Sequence, residues 1–222
     1  MVQKWRHLLF AHWTVEPKRL AKTLPPGLHL DTFDGQAWLG MVPFFMRGIR
    51  PVYLPPVPGL SNFLELNVRT YVYDDQGRPG VWFYSLDANQ AVAVTVARTF
   101  FKLPYFRAKM SATVEGDAVD YTCRRRSEAE IARCRWRLTG EPFQAEPGSL
   151  EFFLCERYLL FAWDGKRLSS GRVRHKPYPL RQATVEHLDT APIAWNGLGE
   201  VPAKPDHVIG SEGVDVEVYP LR

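Results

Sequence analysis

A proline or glycine falls at roughly every seventh position of this chain, and no other feature limits its fold as much. Eighteen prolines and sixteen glycines are spread over 222 residues. Proline cannot continue a helix or a central strand, and glycine opens the backbone angles that end regular structure. Such spacing suits many short strands joined by turns and excludes a bundle of long helices. With 45% hydrophobic and 23% charged residues, the chain can bury a sizeable core and is not a disordered segment. The length suits a single domain over residues 1–222.

Longer apolar runs, Trp38 to Met46 and Tyr158 to Trp163, break off well short of the ~20 residues that cross a bilayer. The first apolar stretch, Leu8 to Ala11, is too short for the core of a signal peptide. A cytoplasmic protein without a membrane partner is therefore expected. Cys123, Cys134 and Cys155 form no CxxC pair and are expected as free thiols. No HExxH motif, glycine-rich phosphate loop or nucleophile elbow occurs, so neither a metal nor a cofactor is expected.

The net charge of +4 is local in origin. Arg124, Arg125, Arg126, Arg133, Arg135 and Arg137 crowd into one stretch, and from Arg133 to Leu138 arginine alternates with Cys134, Trp136 and Leu138. Period-two alternation describes a strand with one wet and one buried face. A solvated arginine face accounts for it better than a nucleic-acid surface, because no base-reading motif accompanies the charge.

Pro17 to Leu24 reads as a short helix ended by Pro25-Pro26-Gly27. Leu28 to Phe44 reads as two strands turning at Asp34-Gly35. Residues 47–61 carry four prolines and two glycines and are expected as a long loop with no regular element. Phe63 to Tyr73 and Val81 to Asp87 flank a polar turn and should pair antiparallel. Ala88 to Phe101 has the alternation of a strand and the alanines of a helix, and its residues alone leave both open. Ser149 is placed to cap a helix over Leu150–Arg157, and Asp164-Gly165 to close a hairpin between Tyr158–Trp163 and Lys166–His175.

The strand from Phe63 to Tyr73 carries the chemistry. Leu64, Leu66, Val68, Thr70 and Val72 form one face, and Glu65, Asn67, Arg69, Tyr71 and Tyr73 the other. If the second face looks inward it lines a pocket, since pockets combine aromatic walls with a few convergent polar groups. An interior Arg69 would need a carboxylate partner, and Glu65 stands four residues away on the same face.

Several segments together resemble a known family. They are Trp5-Arg-His-Leu-Leu-Phe-Ala-His-Trp13, Leu24-Pro-Pro-Gly-Leu28, Gly40-Met-Val-Pro-Phe44, Glu65-Leu-Asn-Val-Arg-Thr-Tyr-Val72, Val81-Trp-Phe-Tyr-Ser-Leu-Asp87, Ala97-Arg98 with Leu103-Pro-Tyr105, and Glu156-Arg-Tyr158. The chain resembles, from its first residues to about residue 190, the YqjF-like domain-of-unknown-function family. That family in turn resembles the acetoacetate decarboxylase superfamily. The resemblance implies a β-rich α+β fold, a closed cone-like double β-barrel with a few short helices around one buried pocket. It also implies a helix over Ala88 to Phe101. Acetoacetate decarboxylases carry Gly-Arg-Glu and then Pro-Lys-Lys, whose first lysine forms the Schiff base. Here Arg98 and Pro104 match, and the lysine position falls on Tyr105. A phenol cannot form an imine. Lys109, on the face of Tyr105 and Arg107 if Leu103 to Met110 is a strand, is the nearest candidate to replace it.

The expected function is thus a small-molecule pocket protein. Glu65 and Tyr105 are its candidate acid–base residues, and Asn67, Arg69, Arg98 and His175 its candidate binding residues. Two arginines suggest a small anionic oxo- or hydroxy-acid, because guanidinium pairs with carboxylate in bidentate fashion. An enzyme of this kind would be lyase-like, of decarboxylase, hydratase or aldolase type. A ligand-binding protein without turnover is the first alternative, and an interaction protein using the arginine-rich face at residues 124–137 the second. A homo-oligomer is compatible with either. The arginine-rich strand should give only weak, salt-labile contact with nucleic acid. Filter binding at physiological salt should find dissociation constants no tighter than about 10⁻⁶ M for DNA or RNA, and submicromolar binding would overturn this reading.

Overall fold

The computed structural model describes the backbone of all 222 residues and every side chain except that of Phe100. Twelve strands and four short helices follow in the order β1 (Val2–Val15), α1 (Pro17–Ala21), β2 (Leu28–Leu30), β3 (Ala37–Arg50), β4 (Phe63–Asp74), β5 (Pro79–Ala88), α2 (Ala91–Phe100), β6 (Tyr105–Glu115), β7 (Ala118–Arg125), β8 (Ala132–Phe143), α3 (Leu150–Cys155), β9 (Leu159–Trp163), β10 (Leu168–Arg174), β11 (Leu180–Leu188), α4 (Ala191–Ala194) and β12 (His207–Val218). The strand-rich reading of the turn pattern holds, and no helix is long and apolar enough to cross a membrane.

Pairing joins all twelve strands into one sheet in the order β10-β9-β5-β6-β7-β8-β11-β12-β1-β3-β4-β2, with further pairings of β10 to β12 and β5 to β4. These extra pairings close two circuits that share the run β12-β1-β3-β4-β5. The shared strands therefore have an interior on each side. Along β1, Leu8 and Phe10 enter one core while Leu9, Ala11 and Trp13 enter the other. Along β3, Val42, Phe44 and Met46 face the first core and Met41 and Phe45 the second. Two-sided burial explains why Trp38 to Met46 is a continuous apolar run rather than an alternating one.

Several boundaries differ from the sequence reading. The segment from Arg47 to Arg50 is strand, because β3 keeps its pairing with β1 as far as Val2↔Arg50, and the loop begins only at Pro51. Ala88 ends β5, and α2 starts at Ala91 behind Gln90, whose side chain accepts from the Val92 amide at 2.9 Å. Helix α2 is thus the outcome that the family resemblance implied. Ser149 caps α3 as expected, accepting from Phe152 at 3.1 Å, but the helix stops at Cys155.

The arginine-rich stretch divides in two. Arg133, Arg135 and Arg137 on β8 are exposed while Cys134, Trp136 and Leu138 between them are buried, the wet-and-dry alternation expected. Arg125 turns inward instead. Its Nε and Nη2 donate to the two oxygens of Asp87 at 2.8 Å each, both side chains are almost wholly buried, and the guanidinium lies 4.1 Å from the Phe106 ring centre. A buried charge that loses its partner is costly. Arg125→Met should therefore lower unfolding free energy in urea by ~3–5 kcal/mol, and adding Asp87→Leu should recover most of the loss. A single variant with near-native stability would show that the pair is dispensable.

Candidate functional site

Strand β4 lies within the shared run, with β3 and β5 on its two sides. Its apolar face, Leu64, Leu66 and Val68, packs into the second core. Period two then sends Glu65, Asn67 and Arg69 into the first, where all three are buried and line a cavity of about 140 Å³. Tyr73, at the end of the same face, is exposed. Most of the cavity wall is aromatic or aliphatic, including Trp5, Phe10, Phe44, Phe63 and Val81. An apolar cavity of similar volume in another protein accommodates benzene.

Tyr105, at the start of β6, also lines the cavity and donates from its hydroxyl to Glu65 Oε2 at 3.0 Å. Tyr121 reaches the Glu65 carbonyl at 2.9 Å from the opposite side of the strand and fixes the backbone there. Burial pushes the Glu65 carboxyl up to about 8, with the Tyr105 hydrogen bond opposing the rise and the Asp87 charge adding to it. At neutral pH Glu65 is an uncharged acid.

Arg69 is not the partner of Glu65. Its Nη2 donates to the Leu154 carbonyl at 3.0 Å and more distantly to the Tyr71 hydroxyl, and the guanidinium lies 5.5 Å from the Phe10 ring centre. No carboxylate pairs with it among the described residues. The expected ion pair fails because Glu65 is turned toward Tyr105 and carries no charge to offer. A permanently charged group has thus been placed in an apolar cavity with π faces and one carbonyl for company. Among the described residues neither Arg69 Nη1 nor Asn67 Nδ2 makes a hydrogen bond, and Arg69 Nε and Asn67 Oδ1 are buried without a partner.

The other expected residues lie elsewhere. Arg98 is exposed and lines a separate surface groove with Lys102 and Trp82, because Ala93, Val96 and Ala97 form the face of α2 that meets the cavity. His175 sits behind the wall, its ring 5.9 Å from Trp5 and 4.6 Å from Tyr178, and its Nδ1 meets the Lys176 carbonyl at 2.7 Å. Lys109 is exposed on β6 and does not approach the cavity. No lysine lines it among the described residues. The sequence reading missed Gln3, Cys155, Arg157 and Tyr178, which come from three distant segments and are brought together by the fold. Glu156-Arg-Tyr158, within the family resemblance, pointed near two of them.

Comparison with known proteins agrees with this architecture. The model of the family DUF2071, described as an uncharacterized conserved protein, matches residues 2–215. The uncharacterized protein YqjF of Bacillus subtilis (strain 168) is 44% identical over 223 residues, covering 100% of this chain and 91% of that protein. The enduracididine biosynthesis enzyme MppR, complexed with the condensation product of pyruvate and imidazole 4-carboxaldehyde, is similar with a TM-score of 0.66 at 16% identity, over 100% of this chain and 88% of that one. Acetoacetate decarboxylase from Legionella pneumophila is similar with a TM-score of 0.63 at 17% identity, over 99% and 85% of the two chains. At such identities the two structures speak for the fold alone. With a family model spanning nearly the whole chain and 44% identity to YqjF, this chain belongs to the DUF2071 family and has an acetoacetate decarboxylase-like fold.

Proposed function

We propose that the cavity binds a short carboxylic acid with an apolar body and acts on it by acid–base chemistry rather than through an imine. One observation carries the reading: Arg69 is a buried cation without a carboxylate, in a cavity whose own carboxyl, Glu65, is held neutral. A ligand carboxylate supplies the missing charge and accepts from Arg69 Nη1 and Asn67 Nδ2. The ligand's apolar part then lies against Phe44, Phe63 and Val81. Glu65 provides a proton at neutral pH, and Tyr105, already donating to Glu65, orients that acid. Because burial holds the Tyr105 phenol well above its ordinary range, Glu65 regains its proton from the substrate or from solvent rather than from Tyr105. MppR, a structural neighbour, has been seen complexed with pyruvate, which supports a small oxo-acid as the chemical class. Tyr105 at the lysine position and the exposed Lys109 both speak against a Schiff base.

The test is direct. Arg69→Met should weaken binding of short carboxylates, probed with pyruvate, acetoacetate and benzoate by calorimetry, by about ten- to a hundredfold. Since Glu65 is not its partner, the variant should escape the ~3–5 kcal/mol penalty of a broken buried pair. Incubation with acetoacetate and borohydride should leave no adduct between Leu103 and Met110. Unchanged affinity in Arg69→Met removes the anion site, and an adduct that maps to Lys109 restores imine chemistry.

The neutral state of Glu65 has its own signature. Its folded value lies near 8 and its unfolded value near 4.5, so the folded chain holds a proton that the unfolded chain has released. This contribution to stability is full at pH below the unfolded value and is lost as pH rises toward 8. Glu65→Gln keeps the neutral shape at every pH. The stability difference between wild type and Glu65→Gln should be flat below about pH 4.5 and grow in favour of the variant by up to about 1.4 kcal/mol per pH unit through the window. Parallel stability curves would show that Glu65 is charged.

A further inference from the structure

Behind Arg69, on the side away from the cavity, a file of polar groups leads toward the surface. The Tyr71 hydroxyl lies 2.8 Å from His12 Nε2, His12 Nδ1 lies 3.1 Å from His207 Nδ1, and His207 Nε2 lies 3.6 Å from Glu151 Oε1. Arg69 Nη2 reaches the Tyr71 hydroxyl at 3.5 Å and completes the inner end. His12 and Tyr71 have no solvent exposure, whereas His207 and Glu151 are partly exposed. The fit around the inner pair is close. A Cβ on Gly40 would stand 3.1 Å from the His12 ring and 3.3 Å from the Tyr71 hydroxyl.

Proton counting leaves one arrangement when both imidazoles are neutral. The Glu151 carboxylate, 3.6 Å from His207 Nε2, favours the proton on that nitrogen, so His207 Nδ1 accepts from His12 Nδ1–H. His12 Nε2 then accepts from Tyr71 O–H, and the Tyr71 oxygen is free to accept from Arg69. Adding one proton reverses the file. His207 becomes an imidazolium that pairs electrostatically with Glu151 and donates to His12 Nδ1, and His12 carries its proton on Nε2 and donates to Tyr71. The Tyr71 hydrogen is displaced toward Arg69, where it meets another donor. This state is disfavoured while the Arg69 charge is uncompensated and favoured once an anion compensates it.

We infer that the Tyr71–His12–His207–Glu151 file is a proton-uptake site coupled to anion binding at Arg69, so that the protein takes up a proton together with each carboxylate it binds. The inference rests on the reading of Arg69 as the anion's anchor. Each group in the file is accounted for. His12 faces His207, Tyr71 and Arg69; His207 faces Glu151 and His12; Tyr71 faces Arg69, Cys155 and Arg157. Burial holds both histidines below the ordinary range, with His207 and Arg69 lowering His12 further and Glu151 opposing the shift at His207. The first added proton therefore goes to the His207 end. Helix α3 spans the coupling physically, since Glu151 near its start meets His207 and the Leu154 carbonyl near its end holds Arg69.

Histidine proton resonances of the full chain, followed by NMR from about pH 5 to 8, test this, with His207 assigned through His207→Asn. The charge of Arg69 should depress the His207 midpoint, so Arg69→Met should raise it without any ligand, and Arg69→Lys should leave it near the wild-type value. Saturating benzoate should raise the wild-type midpoint in the same direction, and its affinity should fall by up to about tenfold per pH unit above that midpoint. Tyr71→Phe should still bind benzoate but lose the shift. A His207 midpoint equal in wild type and Arg69→Met overturns the coupling, with Arg69→Gln serving if the methionine variant does not fold. If benzoate fails to bind wild type while Arg69→Met moves the midpoint, the file is coupled to Arg69 and the anion reading is what has failed.

Discussion

The polar groups at the centre of this protein's cavity, Glu65, Asn67 and Arg69, owe their position to a strand that has no solvent face. Because β12, β1, β3, β4 and β5 belong to both closed circuits, each side of these strands meets a core. A polar side chain on such a strand must find partners inside or leave its hydrogen-bonding capacity unmet. Thr70 answers with a bond to the Trp38 carbonyl, and Asp87 with the fork of Arg125. Arg69 and Asn67 answer only in part, and the unmet remainder faces a cavity that an apolar guest can fill.

The contrast between the two buried arginines is instructive. Arg125 and Asp87 form a closed, bidentate pair, with Asn196 and Trp195 taking up the remaining donors at longer range. Nothing is left over for chemistry, and the pair ties β7 to β5. Among the described residues Arg69 has only a carbonyl, a hydroxyl at 3.5 Å and aromatic faces. Both residues carry the same charge at comparable burial, and the presence or absence of a carboxylate separates a structural brace from a binding group.

Glu65 makes the same point from the acidic side. Sequence spacing paired it with Arg69, since both lie on one face of one strand, four residues apart. Successive same-face residues of a strand are roughly 7 Å apart, so groups two steps apart need not meet. Tyr105, brought alongside by the parallel pairing of β6 with β5, is closer and takes the hydrogen bond instead. That pairing converts a presumptive ion pair into a neutral acid and a free cation, a different chemical instrument from the same two residues.

How far the chain could be read without coordinates follows from the range of the interactions involved. Turn residues, the alternation of β4 and β8, the Ser149 cap and the Asp34-Gly35 and Asp164-Gly165 turns act over a few residues, and each was legible in the sequence. So was the inward face of Glu65, Asn67 and Arg69. The closure of two circuits, the inward turn of Arg125, the exclusion of Arg98 and Lys109 from the cavity, and the partners of Glu65 depend on strands far apart in sequence. Periodicity states which side chains share a face. Only the strand order of the folded sheet decided what that face would meet, because pairing between distant strands is set by the whole core and not by any local pattern.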